Sequence, residues 1–534
     1  MRWPLHPAAL ACLAVSVGLL CLLPVVPGAD LPQHLACGRL FADLTSPSLP
    51  FRDFYASPPR LQPYDTVYLA VAALSRLASI TTASRTIATG FAVLTFFAFQ
   101  RLTDALHGRA SSREPPVTTV FATLIVWSPT VFMGFLQFYL CVPLVLLALA
   151  EIVGAEGPRP RLNGLSRASG LAVAVACLHP MAAGALVVLA ALYVILDRGR
   201  DAAPRRVVAT AVIAVTVVTL ALWRARGDVI GAGPHVYPWR DAIRDAQGLE
   251  FLNRIFGIVW HDPTMVVSYS AWTVLGPYRL AGLLPPLVVT LWLVHAVVKA
   301  PAALATPDRV RSYTRVALVF GGLALLSPWG IDVPDELLFI NLRLIGLAAA
   351  IALPLVPPAY FDVTPARVRI LAWTGVTIAN LVLNLSMFAR EAEAPLALIA
   401  RADPRGVLLP IVFRGTSLRF AKTFRLTHHL PTLFTADRGG ITTQFWARYT
   451  NHLPFGYLPG KQPDAPPDLE PALFDPEKHL RDVDWVLLEE ADGDVGPPRR
   501  ADALRVRRQL DERTELTAAA GLWRLYRVHR ARRD

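Results

Sequence analysis

Apolar runs long enough to cross a bilayer, separated by short charged loops, fill the first 389 residues of the chain. The first run, over residues 7–26, is roughly 20 residues long, which is sufficient for a membrane-spanning helix. Basic residues gather in alternate loops, as expected of loops on the cytoplasmic side of a membrane. The pattern predicts a polytopic α-helical membrane domain over 1–389, with about eleven spans and its N-terminus inside.

The N-terminal run has two interpretations. Arg2 precedes it and Val-Pro-Gly-Ala29 follows it, as in a secretory signal with a cleavage site. The run is, however, longer than most signal cores. We therefore expect a retained first helix.

Two longer polar segments fall on the side opposite the basic loops, and we read them as outer loops. The first is 28–82, where a short apolar run over 64–80 with charged flanks predicts a helix lying in the membrane interface. The second is 225–270, whose Trp and Tyr residues among charges are typical of the headgroup level.

The last part of the chain, 390–534, is much richer in charge than the rest. Residues 407–413 and 483–488 read as short buried strands, and 521–527 as a strand with alternating faces. A helix is expected around 499–512. The pattern predicts a small extracytoplasmic (periplasmic) α/β domain.

Composition narrows the class of protein further. Hydrophobic residues make up 54% of the chain and charged residues 17%, against about 25% charged residues in average globular proteins. The net charge of +12 comes from basic residues in short loops and not from a continuous patch, which argues against nucleic-acid binding. The five cysteines have neither metal-site spacing nor a disulfide pattern.

The strongest candidate for chemistry is the stretch that follows the first span. Asp30 and His34 are four residues apart, which places a carboxylate and an imidazole on one face if the stretch is helical. A structural interpretation stands beside it, because Asp30 suits a helix N-cap and Pro32 suits a first helical turn.

Arg343 lies a few positions inside a late apolar run. A charge within a span costs about 2.5–3.5 kcal/mol on insertion scales and is a functional candidate by default. Its forked donors suit a phosphate on the outer leaflet. The alternatives are an ion pair with a nearby acid such as Asp332, Asp335 or Glu336, or snorkelling to the interface.

Other polar residues fall at predicted outer turns or in the tail. Gln137 and Tyr139 would either contact a substrate or anchor a helix at the interface. His179, before Pro180, reads as a structural cap. The tail adds further residues that could touch a substrate, His428, His429 and Asp437.

This layout resembles the GT-C superfamily of membrane glycosyltransferases, which includes protein O-mannosyltransferases and the enzymes that move aminoarabinose onto lipid A. The matching features are Asp30 in Ala-Asp-Leu-Pro-Gln-His, the loop leading to Pro63-Tyr64, Arg343, and the tail segments Asp484-Trp-Val-Leu-Leu and Trp523-Arg-Leu-Tyr-Arg. One departure is that many members carry an acidic pair, whereas Leu31 follows Asp30. A second acid would have to come from Asp53 or Asp65.

The resemblance implies transfer of a sugar from a polyprenyl-phosphate donor to a lipid, glycan or protein acceptor at the outer face of the bacterial inner membrane. Such transfer needs a carboxylate for the acceptor and cations for the departing phosphate. The expected roles are Asp30 as base with His34 supporting it, and Arg343 with Arg60 or Arg240 at the phosphate. Further substrate contacts are expected from Asp53, Gln137 and Tyr139. A divalent cation, Mg or Mn, is an optional cofactor.

Two other classes of protein remain open. A non-catalytic scaffold of envelope or polysaccharide biogenesis would share the architecture and lack a working site. A transporter would place ionisable groups at mid-membrane depth, often within internal repeats. Here the charges gather at one outer face and the two halves of the chain do not match, which favours a transferase.

Overall fold

A computed structural model describes most of the residues of the chain. They are 5–56, 65–108, 116–128, 134–155, 162–199, 202–226, 308–326, 330–332, 336–338, 340–361, 364–415, 426–445, 455–468, 470–491 and 496–529. The predicted outer loop 225–270 lies outside them from residue 227 onward.

The described chain is mostly helical, with a small sheet near its C-terminus. Its helices, numbered along the described residues, are α1 (Pro7–Leu22), α2 (Leu31–Asp43), α3 (Phe51–Phe54), α4 (Asp65–Ser75), α5 (Ile80–His107), α6 (Ala122–Val126), α7 (Leu136–Val153), α8 (Leu162–Leu178), α9 (Pro180–Leu196), α10 (Ala202–Arg226), α11 (Asp308–Leu326), α12 (Ile340–Ala352), α13 (Thr364–Ile399), α14 (Pro476–His479) and α15 (Pro497–Arg513).

Four of the described helices contain a segment long and apolar enough to cross a membrane, namely Ile80–His107, Leu136–Val153, Ala202–Trp223 and Pro365–Ile399. Shorter apolar helices, among them α1, α8 and α9, accompany them. The several apolar helices agree with a membrane protein. The count of about eleven spans, the inside N-terminus and the periplasmic tail stay predictions.

The chain forms two compact units. The first comprises Met1–Cys21, Ala88–Val131 and Leu136–Leu383, and the second comprises Leu22–Ile87, Phe132–Phe135 and Asn384–Asp534. The second unit therefore contains both the segment around Asp30 and the whole C-terminal tail. The predicted division of the chain into domains at residue 389 stays a prediction.

In the first unit, α7 to α11 pack against one another, and the buried faces of α8 and α9 are rich in alanine. Alanine faces let helix axes approach closely, which favours packing where the surroundings are lipid. His179 precedes α9, and its Nδ1 accepts the N–H groups of Met181 and Ala182. The prediction that His179 is a structural cap is confirmed.

A buried ion pair fixes the ends of three helices in the first unit. The Arg205 guanidinium donates to both carboxylate oxygens of Asp197, at 2.7 and 3.2 Å, and the Ser312 hydroxyl donates to the same carboxylate at 2.7 Å. The side chains of Arg205 and Asp197 are 3% and 0% exposed. A buried pair is tolerated when its polar atoms are satisfied in this way.

The sheet of the second unit lies in the tail, with strand order β4-β3-β5-β7-β6. Two short strands, β1 (Gly330–Asp332) and β2 (Glu336–Leu338), precede it in the chain. The sheet strands are β3 (Val407–Val412), β4 (Ile441–Thr442), β5 (Trp485–Glu489), β6 (Thr514–Ala520) and β7 (Trp523–Val528). The three strands predicted from sequence are β3, β5 and β7, and α15 is the predicted helix; β6 was not predicted.

Pairing in this sheet is mixed. β3 runs parallel to both β4 and β5, whereas β5–β7 and β6–β7 are antiparallel. Every residue of β3 and β5 is buried, so these strands read as continuous apolar runs. Side chains from the end of α13, the central strands and Phe434 form the core under the sheet.

Glu489 ends β5 as a fully buried carboxylate among apolar strands. Its Oε1 lies 3.5 Å from Nε of the buried Arg414, and its Oε2 accepts the Gly415 N–H at 2.7 Å. Burial raises the pKa of Glu489 to about 7, and Arg414 and the Gly415 N–H oppose that rise.

This raised pKa predicts a pH-dependent stability of the tail. The folded chain keeps a proton on Glu489 that the unfolded chain loses, so stability should fall as the pH rises from about 4.5 to about 7. The limiting slope for one proton is about 1.4 kcal/mol per pH unit. Glu489→Gln should remove this slope in thermal unfolding of the full chain in detergent. Glu477→Gln, at an exposed glutamate, should keep it; an unchanged slope in Glu489→Gln would contradict the assignment.

Candidate active site

Asp30 occupies the residue immediately before α2, as the sequence predicted. Its carbonyl accepts the N–H groups of Gln33 and His34, at 3.0 and 3.2 Å, and Pro32 lies in the first turn. The Asp30 carboxylate makes no capping hydrogen bond to the helix. The side chain of Asp30 is a quarter exposed and does not cap the helix.

One neighbour of this carboxylate is a histidine from the tail, His429. Nε2 of His429 lies 3.7 Å from Oδ1 of Asp30, within the second unit. On its other side, Nδ1 of His429 lies 3.0 Å from Nε2 of Gln33, one turn into α2. The same Gln33 nitrogen donates to the carbonyl of Gln444 at 3.1 Å. The start of α2 and the tail therefore build this site together.

His34 lies against Tyr68, a contact that the sequence did not predict. Its Nδ1 lies 3.0 Å from the hydroxyl of Tyr68 on α4, and the two rings stack with centroids 5.8 Å apart. His34 is buried, whereas His429 is the histidine placed against Asp30. The proposed support of Asp30 by His34 stays a prediction.

Asp65, one of the two candidates for a second acid, starts α4 and is buried against α2. Burial, and then the nearby Asp65 carboxylate, raise the pKa of the Cys37 thiol. Cys37 is seven residues after Asp30, or about 10 Å along a helix. The role of Asp65 as a second acid stays a prediction.

The remaining predicted site residues are distributed over both units. Asp53 is exposed and lies 4.0 Å from Nε of Arg52. Gln137 and Tyr139 are buried at the start of α7, where the Tyr139 hydroxyl donates to the Val126 carbonyl. Arg343 is half-buried near the start of α12. Arg60 and Arg240 lie outside the described residues.

Asp437, another predicted substrate contact, faces α5 in the second unit. Its Oδ1 accepts the hydroxyl of Thr81 at 2.7 Å. Burial raises the pKa of Asp437, opposed by that hydrogen bond and by Arg39 and Arg85. The role of Asp437 stays a prediction.

A second histidine extends the site into the tail. His428 packs edge-on against His429, with ring centroids 4.8 Å apart, and its Nε2 lies 3.2 Å from Oδ1 of Asp468. One ligand atom from each of His428, His429 and Asp468 falls within 4.8 Å of the others. Two imidazoles and a carboxylate suit Zn²⁺ better than the Mg or Mn expected above, since those ions prefer oxygen ligands.

A backbone contact holds Asp30 from the other side. Gly134 has a φ of +82°, and a Cβ atom there would come within 2.9 Å of Asp30 Cα and Cβ. Only glycine accommodates both the left-handed backbone and this close approach. The sequence pattern gave no sign of this contact, because Gly134 is distant in the chain.

Gly134→Ala should therefore destabilise the chain more than a matched glycine substitution. Gly460 also has a positive φ, +71°, but nothing lies within 4 Å of its Cβ position. Gly460→Ala should cost roughly 1–2 kcal/mol for the backbone alone. Gly134→Ala should cost about 1–3 kcal/mol more for the overlap with Asp30. Thermal unfolding of both variants provides the comparison, and equal shifts would contradict the close approach.

Comparison with known proteins gives structural neighbours only. No family model and no curated protein matches the sequence. The chain is similar to the crystal structure of ArnT from Cupriavidus metallidurans in the apo state, with 11% identity, coverage of 97% of this chain and 96% of that one, and a TM-score of 0.38. It is likewise similar to the crystal structure of the same protein bound to undecaprenyl phosphate, with 9% identity, 97% coverage of each chain and a TM-score of 0.38.

A TM-score of 0.38 and an identity of 9–11% say nothing about individual side chains. The function proposed below therefore rests on the residues of this chain.

Proposed function

We propose that this chain is an integral-membrane glycosyltransferase that moves a sugar from a polyprenyl-phosphate donor to an acceptor of the cell envelope. The observation that carries the proposal is the Asp30 carboxylate. It stands at the start of α2, is not used as a helix cap, and faces a histidine that is itself held by a buried amide.

The reaction would use Asp30 as follows. An acceptor hydroxyl or amine attacks the anomeric carbon, the bond from that carbon to the phosphate oxygen breaks, and polyprenyl phosphate leaves with the bonding electrons. Asp30 takes the proton that the nucleophile releases. A carboxylate that is a quarter exposed is reachable by an acceptor, and a positioned base contributes typically 10²–10⁴-fold to the rate.

The leaving phosphate needs cationic partners. Arg343 supplies one candidate, because a guanidinium half-buried near the start of an apolar helix suits a phosphate at the membrane surface. Arg60 and Arg240 remain further candidates from the sequence. Asp53, Gln137 and Tyr139 remain candidate substrate contacts, and His34 a candidate support for Asp30.

The location follows from the same proposal. The segment around Asp30 and the tail lie in one compact unit, which agrees with the prediction that both face the same side of the membrane. We place that side outside the bacterial inner membrane, where a lipid, glycan or protein acceptor would be met.

Asp30→Asn should reduce sugar transfer by about 10²–10⁴-fold, since the amide cannot accept the proton. The assay uses purified protein in lipid nanodiscs with a panel of undecaprenyl-phosphate sugars. Asp43→Asn is the matched control, because Asp43 ends the same helix in an ion pair with Arg39. Its turnover should stay close to wild type.

Full activity in Asp30→Asn would remove the base role. Absence of turnover by the wild type with every donor of the panel would favour the non-catalytic scaffold.

A further inference from the structure

The Gln33 side chain is a buried amide placed between two acceptors. Its Nε2 lies 3.1 Å from the backbone carbonyl of Gln444 and 3.0 Å from Nδ1 of His429, and Gln33 has no exposed surface. A backbone carbonyl can only accept a hydrogen bond, so the atom facing Gln444 must be the amide nitrogen. One of its two hydrogens goes to Gln444, and the other points to His429.

This donation determines where the proton of the neutral imidazole sits. Because Nδ1 of His429 accepts from Gln33, the ring carries its hydrogen on Nε2. That nitrogen is the one that lies 3.7 Å from Oδ1 of Asp30. The ring therefore presents an N–H group, and not a lone pair, to the carboxylate.

We propose that Gln33 fixes the tautomer of His429 so that its Nε2–H holds the Asp30 carboxylate in position for the acceptor. His429 is then a positioning residue, which acts through Asp30. The 3.7 Å separation exceeds a formed hydrogen bond, and such contacts commonly shorten when a substrate binds. This inference rests on the proposed role of Asp30 in sugar transfer.

Several titratable groups surround His429. Asp30 faces it from the start of α2, and His428 packs against it with Asp468 behind. Farther along the faces packed against α2 lie Asp65 on α4 and Asp437, the latter close to Arg39 and Arg85. Gln33 is the neutral group that contacts Nδ1 directly.

The alternative occupant of Nε2 is a metal ion. A metal bound there needs the Nε2 lone pair, so the ring proton would move to Nδ1 and face the amide hydrogens of Gln33. The observed amide orientation, which the Gln444 carbonyl requires, opposes that arrangement. A proton on Nε2 leaves Nδ1 unprotonated, whereas a metal ion at Nε2 requires a proton on Nδ1.

The first test reads the tautomer without measuring turnover. Full-length protein with ¹⁵N-labelled histidine is studied by long-range ¹H–¹⁵N correlation, and His429→Asn identifies the His429 signals. We expect protonated Nε2 and unprotonated Nδ1 in the wild type. In Gln33→Glu, the new carboxylate accepts from Nδ1 while Asp30 still faces Nε2, so both nitrogens should become protonated. Protonated Nδ1 in the wild type, or one equivalent of tightly bound zinc lost in His429→Asn, would overturn the proposal.

The second test measures transfer by two His429 variants. A glutamine amide can present an N–H near the position of Nε2, whereas an asparagine amide reaches only as far as Nδ1. We expect His429→Gln to keep activity within about 10-fold of wild type and His429→Asn to lose about 100-fold, within the range for a proton-transfer group. Gln33→Glu should shift the pH profile of transfer. Equal losses in the two His429 variants with an unchanged profile in Gln33→Glu would overturn the proposal.

His479→Asn is the control for a purely structural loss. His479 is a buried tail histidine whose Nδ1 accepts the Asp475 N–H at 2.9 Å, and its substitution should change thermal stability without changing the pH profile. The two proposals fail separately. A wild type without turnover but with protonated Nε2 would contradict the transferase assignment and leave the tautomer assignment standing. An active wild type with protonated Nδ1 would contradict the positioning role alone.

Discussion

Two hydrogen bonds from the Gln33 amide connect the first turn of α2 to the tail, and the geometry around Asp30 depends on them. The amide is fully buried, and a buried donor left without an acceptor costs about 1–3 kcal/mol. The nitrogen therefore keeps Gln444 on one side and His429 on the other. Since His429 faces Asp30, residues from the start of α2 and from the tail define one carboxylate environment.

The tail contributes His429 and Gln444 to this arrangement and has a buried core of its own. β3 and β5 are buried along their whole length, and the helix that precedes β3 contributes Leu398 and Ile399 to the same core. Glu489 is buried at the end of β5, where it lies 3.5 Å from Nε of Arg414 and accepts the Gly415 N–H.

Local sequence patterns predicted much of the fold. The apolar runs predicted the helices, the position of Asp30 before Pro32 predicted the start of α2, and His179 before Pro180 predicted a cap. The buried runs predicted β3 and β5. β6 was missed because its residues are half-exposed and alanine-rich, so neither alternation nor β-branched content marked it.

Only the part of the candidate site around Asp30 could be predicted from the sequence. A carboxylate after a first span is visible in the sequence, and so is a histidine four residues later. The approach of His429 is not, since it lies 399 residues from Asp30 and depends on how the tail packs on α2. Gly134 was hidden for the same reason. Of the expected phosphate ligands, Arg343 lies on the apolar helix α12, whereas Arg60 and Arg240 lie outside the described residues. Their roles therefore stay predictions.

The claim that His429 acts through Asp30 is tested most directly by a double-mutant cycle on sugar transfer. The cycle combines Asp30→Asn with His429→Asn and uses one active undecaprenyl-phosphate donor. Residues that act as one unit give strongly non-additive losses. If His429 acts through Asp30, the double variant should be no slower than Asp30→Asn alone. A double variant whose loss equals the product of the two single losses would mean that the residues act independently, which would contradict this account.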